Sequence, residues 1–325
     1  MSASQPPADA PKLDTLQVNG IRMRVAQQGT GPLVLLCHGW PESWYSWRHQ
    51  LAALAASGYR AVAPDMRGYG GTEAPPEVER YTQLHLVGDM VELVQALGER
   101  QAVIVGHDWG APVAWHAALL RPDVFRAVVG MSVPFAPPGR VEFLSALSQQ
   151  GVSNFYMQYF QAPGVAEAEL ERDVEASVRR ILYSGSGDAP GGVLFGMLRG
   201  PGLLDNTVDP PTLPGWLMPA DVAYLAGEFR RAGFRGGLNW YRTIASSWEL
   251  LAPWRGCVIR QPSLYIAGAR DDVLKFPTSA AQINRFDRTL PGLCGSHLLE
   301  GAGHWVQQER PVEVNAMLLD FLRAL

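Results

Sequence analysis

Short apolar runs alternate along the chain with stretches in which apolar residues recur every three or four positions. The apolar runs predict strands at residues 13–17, 22–28, 33–37, 59–64, 101–105, 127–131, 263–267 and 297–299. The helical spacing predicts helices at residues 43–57, 84–94, 112–119, 278–286 and 312–322. This alternation favours right-handed crossovers and an α/β fold with a mainly parallel sheet covered on both faces. The first two strands can pair antiparallel at one edge.

The alternation stops near Val133 and resumes with the 263–267 strand. The block between them contains helix-like aromatic segments and many Gly and Pro residues. Because this block is inserted between two halves of one sheet, we predict that it forms a helical cap over the cleft. The predicted organisation is a disordered lead (1–12), a core domain (13–133 and 252–325) and a helical cap (134–251).

Bulk composition is typical of a globular protein with a substantial core. Of the 325 residues, 47% are hydrophobic and 18% are charged, and the net charge of −4 without a basic stripe makes nucleic acid an unexpected partner. Neither a signal peptide nor a membrane span is predicted; the uncharged 143–166 segment contains Pro163 and several polar residues and predicts a buried, aromatic-rich helical segment. Three irregularly spaced cysteines predict no disulfide framework. We expect a cytoplasmic protein, as a monomer or homodimer.

The pentapeptide at 106–110, Gly-His-Asp-Trp-Gly, follows an apolar run and opens a helical pattern. Strand, tight turn and helix in this order are the context of a nucleophile elbow, whose usual pattern is G-x-S-x-G. Here Asp108 stands in place of the serine. A carboxylate on this turn is kept ionised by the helix N-terminus and can attack carbon to form an alkyl-enzyme ester. The aspartate disfavours a serine esterase and points to epoxides or alkyl halides; the alternative is that Asp108 only caps a helix.

Two further positions complete a candidate triad. His304 lies in a Gly-Ala-Gly-His-Trp loop after the last predicted strand, where the chain order of such triads places the base. Because Asp108 is already an anion, His304 is expected to deprotonate the water that hydrolyses the ester. The acid that orients the imidazole is expected after the 263–267 strand, where Asp271 and Asp272 are adjacent and spacing alone does not separate them.

Six segments of the chain carry a resemblance to one family. They are HGWP (38–41), GHDWG (106–110), Arg270-Asp271, Gly303-His304-Trp305, and the cap segments 156–171, which contains YFQAPGVAEAELE, and 233–242, GFRGGLNWYR. From about Leu13 to its end the chain therefore resembles the epoxide hydrolases, in particular the catalytic domain of soluble epoxide hydrolase. The resemblance implies an α/β-hydrolase fold, with an eight-stranded, mainly parallel sheet and an inserted helical cap, and it selects Asp271 as the triad acid.

The resemblance also implies a role for two cap tyrosines. Tyr156 and Tyr241 would donate hydrogen bonds to the epoxide oxygen as it becomes an alkoxide. Phenols, with an unperturbed pKa of about 10, can donate in this way at neutral pH. Tyr159, one helical turn from Tyr156, could share that face. The alternative is that these residues are core aromatics of the cap.

Tryptophans adjoin both motifs that would surround the nucleophile. The backbone amides of Trp40 and Trp109 are expected to form an oxyanion hole, and both residues, with Phe155, are predicted to contact the substrate. Trp40 also leaves a haloalkane dehalogenase open as an alternative, because such an enzyme needs side-chain halide donors in this neighbourhood. The cap tyrosines favour the epoxide. A catalytically silent binding protein would be expected to lose a triad member, and none is missing.

The sequence as a whole predicts a hydrolase that needs no cofactor. It contains no H-E-x-x-H, C-x-x-C or G-x-x-x-x-G-K-[ST] pattern, so no metal or nucleotide site is expected. The predicted substrates are an apolar epoxide and water, and the predicted product is a vicinal diol formed through an ester on Asp108 that His304 helps to hydrolyse. No membrane or nucleic-acid partner is expected, and a role in detoxification is suggested by analogy alone.

Overall fold

The computed structural model describes residues 10–190 and 194–325, so that the first nine residues of the predicted disordered lead lie outside the described residues. One eight-stranded sheet forms the centre of the described chain. Its strands are β1 (Lys12–Val18), β2 (Ile21–Gln28), β3 (Leu33–Cys37), β4 (Arg60–Pro64), β5 (Ala102–His107), β6 (Phe125–Met131), β7 (Ser263–Gly268) and β8 (Leu293–Leu299). The order is β1-β2-β4-β3-β5-β6-β7-β8, antiparallel from β1 through β2 to β4 and parallel elsewhere. The predicted α/β fold class is confirmed.

Helices flank this sheet and fill the segment between β6 and β7. The helices before that segment are α1 (Arg48–Ala56), α2 (Gln83–Ala96) and α3 (Gly110–Leu120). Those within it are α4 (Phe143–Gln149), α5 (Tyr156–Tyr159), α6 (Val165–Leu170), α7 (Val174–Gly185), α8 (Pro219–Ala232), α9 (Arg235–Arg242) and α10 (Ile244–Leu250). Those after it are α11 (Ser279–Ile283), α12 (Phe286–Thr289), α13 (Val306–Glu309) and α14 (Pro311–Arg323). None of these helices is long and apolar enough to cross a membrane.

The central strands are buried on both faces, which is why each of them is a continuous apolar run. Every residue of β3 and β5 is buried. Leu35 and Ile104, which pair across these strands, belong to one hydrophobic layer together with α2 and α3. Their neighbours Val34 and Val103 belong to the opposite layer together with α1 and α14. Successive side chains thus enter opposite layers, as the pleat requires.

The helices between β6 and β7 form a cap that is tied to the sheet domain by buried polar contacts. Arg24 of β2 forms ion pairs with Asp65 of the core and Glu228 of α8. The Trp240 indole of α9 donates a 3.0 Å hydrogen bond to a core carbonyl, that of Arg67. The cap is therefore anchored through two separate helices. The exact division into core and cap at residues 134 and 251 stays a prediction.

Several predicted elements differ in their limits from the observed ones. The 43–57 helix consists of a 3₁₀ turn at Trp44–Trp47 followed by α1, and the 278–286 helix is divided between α11 and α12. Loops divide the 143–166 segment, which therefore contains α4, α5 and the first residues of α6. Strand β8 begins four residues earlier than predicted, since it is an edge strand with alternating exposure and its first half includes Gly295 and Ser296. Strand β1 begins at Lys12, inside the predicted lead.

Candidate active site

Asp108 lies on a tight turn between β5 and α3, and its φ of 50° falls in the left-handed region. This conformation is uncommon for a residue other than glycine and marks a constrained turn. Two glycines make the turn possible: a Cβ on Gly106 would lie 1.9 Å from the Gly110 carbonyl oxygen, and one on Gly110 would lie 2.0 Å from that of Cys37. The turn therefore holds the Asp108 side chain in a fixed direction, where it lines a cavity.

Backbone amides lie beside the Asp108 carboxylate. The Trp40 N–H donates a 2.7 Å hydrogen bond to Asp108 Oδ1. A Cβ on Gly39 would come within 2.2 Å of the same oxygen and 2.6 Å of the Trp109 backbone nitrogen. Gly39 thus leaves the space in which the carboxylate and the two amides meet. This arrangement has the donors that an oxyanion hole needs.

His304 is fully buried and lies between two carboxylates. Its Nε2 is 3.4 Å from Asp108 Oδ2, and its Nδ1 is 3.0 Å from Asp271 Oδ1. Asp272 is engaged elsewhere, because its carboxylate accepts a 2.7 Å hydrogen bond from the Leu194 backbone N–H and pairs with Lys275. Of the two adjacent aspartates, Asp271 is therefore the one that contacts the imidazole.

The charges around His304 determine its protonation. Burial lowers the pKa of His304, but the negative charges of Asp271 and Asp108, with the hydrogen bond to Asp271, outweigh burial and raise it well above its usual value. Burial raises the pKa of Asp271, and the His304 cation outweighs this and lowers it. The two acids therefore favour the protonated form of His304 in the resting protein.

Tyr156 and Tyr241 come together from two cap helices. Tyr156 opens α5, Tyr241 lies near the end of α9, and their ring centroids are 5.9 Å apart. The Tyr241 ring also packs edge-on against Trp109, at 5.1 Å. Burial, reinforced by the negative charge of Asp108, raises the pKa of both phenols well above 10. Both hydroxyls thus keep their protons and can donate.

Tyr159 does not join this pair, although it follows Tyr156 by one helical turn. Its hydroxyl donates a 2.9 Å hydrogen bond to Glu169 Oε2. The expectation that Tyr159 could share the face of Tyr156 is wrong, because α5 ends with Tyr159 and its hydroxyl is held by α6.

A cavity of about 480 Å³ opens beside Asp108. Tyr156 and Trp109 line it, and most of the remaining lining is apolar, from the loop 133–139 and from Trp248 and Phe276. Trp40 and Phe155, which were predicted to contact the substrate, are not among its described lining residues. Of the three residues predicted to contact the substrate, Trp40 and Phe155 thus belong to the packing around the cavity rather than to its lining.

Packing against neighbouring rings explains why Phe155 and Trp40 do not line the cavity. The Phe155 ring lies against those of Tyr156 and Phe276, with centroids 4.9 and 5.4 Å away, and so forms the layer behind the cavity wall. The Trp40 ring packs against Phe160 at 5.2 Å and is fully buried. Its backbone N–H, by contrast, reaches the nucleophile.

A family profile described as the alpha/beta hydrolase fold matches residues 32–311. Epoxide hydrolase A of Mycobacterium tuberculosis is 44% identical over 97% of this chain and 98% of its own length. The chain belongs to the epoxide hydrolases of the α/β-hydrolase fold. The predicted family is thereby confirmed.

Other epoxide hydrolases show the same extent of similarity. Epoxide hydrolase 2 of Siraitia grosvenorii is 42% identical over 95% of this chain and 97% of its own. The structure of an epoxide hydrolase from an endophytic Streptomyces superposes with a TM-score of 0.93, at 48% identity, covering 97% of this chain and 96% of that one. Because the coverage includes the cap, the similarity to epoxide hydrolases extends beyond the shared hydrolase core.

Three residues that position His304, namely Glu42, His107 and Ser132, were not predicted from the sequence. The Nε2–H of His107 donates a 2.7 Å hydrogen bond to the His304 carbonyl, and His107 Nδ1 lies 3.2 Å from Glu42 Oε2. On the other side, Ser132 Oγ lies 3.2 Å from His304 Nδ1. His107 belongs to the elbow motif, and Glu42 directly follows HGWP. Only the folded chain shows that both residues lie beside the loop of His304.

The side-chain carboxylate of Glu309 holds the loop of His304 by accepting hydrogen bonds from backbone N–H groups. It is buried, its Oε2 accepts hydrogen bonds from the N–H groups of Gly303 (2.9 Å) and Gly187 (2.8 Å), and its Oε1 accepts one from that of Trp305 (3.0 Å). Burial raises the pKa of Glu309, against the effect of these three amides. The residues on both sides of His304 are thus fixed to one carboxylate. Within residues 10–190 and 194–325 no group of three or more His, Cys, Asp or Glu residues is arranged to hold a metal ion.

Proposed function

We propose that this protein hydrolyses an apolar epoxide to a vicinal diol through a covalent ester on Asp108. One observation carries the proposal: Asp108 and Tyr156 line one largely apolar cavity, His304 lies 3.4 Å from Asp108, and the Tyr241 ring lies 5.9 Å from that of Tyr156, with both phenols protonated. The relatives named above are epoxide hydrolases over nearly the full chain, which supports the same reaction. Asp108, His304, Asp271, Tyr156 and Tyr241 are the proposed catalytic residues.

In the first step, Asp108 attacks an oxirane carbon and the carbon–oxygen bond of the ring breaks. Because Oδ1 is held by the Trp40 N–H, this oxygen becomes the ester carbonyl and Oδ2 forms the new bond. The ring oxygen becomes an alkoxide and takes a proton from the Tyr156 and Tyr241 pair. Proton donation of this kind contributes about 10²–10⁴ to a rate.

In the second step, water cleaves the ester at its carbonyl carbon. Ester formation removes the charge of Asp108, so the pKa of His304 falls; the imidazolium gives up its proton, which restores the phenol, and the neutral imidazole can act as a base. It takes a proton from water, and the hydroxide adds to the carbonyl. The amides of Trp40 and Trp109 stabilise the oxyanion, while Asp271 stabilises the imidazolium. The intermediate collapses, the leaving oxygen takes its proton from His304, and the proton lost as Asp108 ionises returns His304 to its cationic form.

The haloalkane dehalogenase alternative is not favoured. It would use the same aspartate and histidine, but a leaving halide needs no proton from Tyr156 or Tyr241. The two phenols and the similarity to epoxide hydrolases both support an epoxide. Assays that pair styrene-type, fatty and terminal oxiranes with bromoalkanes of equal length test this choice. We expect diol from at least one oxirane class and no bromide release; bromide release without diol would contradict the proposal.

A variant that stops the second step tests the ester itself. In a His304→Gln protein the ester should form but not be hydrolysed, so intact-mass spectrometry should show the protein mass plus one epoxide. Peptide mapping should place the added mass on Asp108. His116→Gln serves as a matched control, because His116 lines the same cavity and should retain turnover. Detection of unmodified His304→Gln protein alone, with substrate binding intact, would contradict the proposed role of His304.

A further inference from the structure

The cavity beside Asp108 is largely apolar but has a polar group on the wall contributed by α2. Gln83 opens this helix, lines the cavity and is only 4% exposed. Its side-chain Nε2 is buried and, within residues 10–190 and 194–325, has no hydrogen-bond partner. A buried amide donor without an acceptor is unfavourable, and such groups in a folded protein call for an explanation. A hydrogen-bond acceptor on a bound ligand provides such an explanation.

A second donor lies next to Gln83, on the cap side. The Gln83 backbone N–H donates a 2.9 Å hydrogen bond to Ser247 Oγ, and Ser247 of α10 also lines the cavity. Because its oxygen accepts from Gln83, the Ser247 hydroxyl hydrogen points away from that bond and can be donated to another acceptor. Gln83 and Ser247 therefore place two neutral donors on one part of the wall, one from the core and one from the cap.

The charges around the cavity determine which acceptor fits. Its described lining residues include no lysine or arginine, and Asp108 contributes a negative charge. His116, which also lines the cavity, donates its Nδ1–H to the Pro112 carbonyl at 2.7 Å, and burial lowers the pKa of His116 to about 4. His116 is therefore neutral at pH 7. A carboxylate on the tail would find no lysine or arginine among the described lining residues, whereas a neutral oxygen would find donors.

We propose that Gln83 and Ser247 form a subsite for a neutral oxygen acceptor (hydroxyl, ether or carbonyl) on the part of the substrate remote from the oxirane. The proposal rests on the proposed epoxide hydrolysis and narrows its substrate class. The preferred substrates are apolar epoxides that carry such an oxygen on the tail, rather than pure hydrocarbons or free acids. The apolar lining binds the rest of the tail, and Gln83 sets its position relative to Asp108.

The test compares alkyl oxiranes with analogues in which one tail methylene is replaced by an ether oxygen, at successive positions. For each pair we measure kcat/KM and take the ratio of the ether analogue to the alkyl oxirane, in the wild type and in Gln83→Leu. Because both proteins act on the same pair, differences in intrinsic reactivity cancel when the two ratios are compared. The wild type should prefer the best-placed ether about threefold to tenfold more than Gln83→Leu does, the range expected for one hydrogen bond. An analogue that ends in a carboxylate should show no such gain. Equal ratios in both proteins at every ether position would overturn the proposal.

Three controls separate the subsite from general damage. Gln83→Met keeps the side-chain length without the donor and should behave as Gln83→Leu does. Gln95→Leu makes the same substitution at an exposed position of the same helix and should keep the wild-type ratio. Ser247→Ala should lose part of the preference. Retention of the full preference in Gln83→Met would also overturn the proposal.

A binding measurement distinguishes failure of the subsite from failure of the proposed function. Calorimetry with the alkyl diol and the ether diol reports on the subsite without turnover. If the wild type binds the ether diol more tightly, by a margin that Gln83→Leu loses, the subsite is supported even when no oxirane is hydrolysed. If the wild type hydrolyses oxiranes but discriminates between neither the oxiranes nor the diols, the subsite is contradicted and the proposed function stands.

Discussion

The backbone N–H of His304 donates a 2.7 Å hydrogen bond to the carbonyl of Gly185, the last residue of cap helix α7. The same helix end accepts a 2.6 Å bond from the Trp305 indole at the Leu182 carbonyl. Arg270, next to the triad acid, reaches the Gly187 carbonyl at 2.7 Å. The loop that carries the proposed base is therefore fixed to the cap as well as to the sheet. The geometry of this loop therefore depends on contacts outside the triad.

Glu309→Ala should impair both stability and turnover. The substitution leaves the N–H groups of Gly187, Gly303 and Trp305 without their acceptor, and each unsatisfied buried group costs about 1–3 kcal/mol. We expect the free energy of unfolding to fall by about 3 kcal/mol and kcat to fall with it, as measured by denaturant titration and steady-state kinetics. Glu313→Ala, at an exposed position nearby, should change neither. A wild-type free energy of unfolding and a wild-type kcat in Glu309→Ala would show that the loop of His304 keeps its conformation without the Glu309 carboxylate.

Gly39→Ala should strongly reduce turnover while the fold persists. The added methyl group would lie 2.2 Å from Asp108 Oδ1, so the carboxylate must leave its bond with the Trp40 N–H. We expect kcat/KM to fall about a hundredfold or more, since one oxyanion donor alone contributes about 10²–10³. Gly215→Ala is the control, because a Cβ there meets nothing within 4 Å. Near-normal activity of Gly39→Ala would contradict the amide arrangement described above.

Removal of either phenol should slow ring opening. In Tyr156→Phe or Tyr241→Phe the other hydroxyl still donates, so we expect kcat to fall about tenfold to a hundredfold, and the double variant to approach the full 10²–10⁴ contribution of a proton donor. Single-turnover kinetics with an oxirane measure the effect. Tyr159→Phe should turn over normally, since its hydroxyl bonds to Glu169. Loss of turnover on a bromoalkane, without loss on the oxirane, would reverse the choice of substrate.

Stability should depend on pH through His304. Its pKa in the folded protein lies well above its unfolded value of about 6.5. The stabilisation is therefore fully present below about pH 6.5 and is lost as pH rises towards the folded pKa, by at most about 1.4 kcal/mol per pH unit. Denaturant unfolding between pH 6 and 9 should show this decline in the wild type but not in His304→Gln. Parallel pH profiles for the two proteins would mean that His304 is not held as a cation.

Much of the fold follows from local pattern, because the buried parallel strands are apolar throughout and the helices repeat with a regular period. Strand β8 was the exception: as an edge strand it is half exposed, and its sequence lacks a continuous apolar run. Among the site residues, Asp108 and His304 were recognisable because glycine-flanked turns surround them. The distinction between Asp271 and Asp272 came from a resemblance rather than from spacing, and the observed contacts agree with it.

The supporting residues could not be predicted, since their roles exist only in three dimensions. Glu42, His107 and Glu309 come from three separate segments and meet at the loop of His304. Phe155 illustrates the converse: an aromatic residue next to Tyr156 in sequence points behind the cavity wall, because neighbouring positions at the start of a helix face different directions. Gln83 has no distinguishing sequence pattern, and only burial without a partner makes it notable.

The most direct test of the covalent ester on Asp108 follows the source of the oxygen. Enzyme in excess over epoxide is allowed one turnover in H₂¹⁸O, and both the diol and the peptide that contains Asp108 are analysed by mass spectrometry. Because water attacks the ester carbonyl, we predict that ¹⁸O enters the Asp108 carboxylate and that the first diol carries the unlabelled enzyme oxygen. An ¹⁸O-labelled diol from the first turnover, with Asp108 unlabelled, would show that water attacks the epoxide directly and would contradict the account.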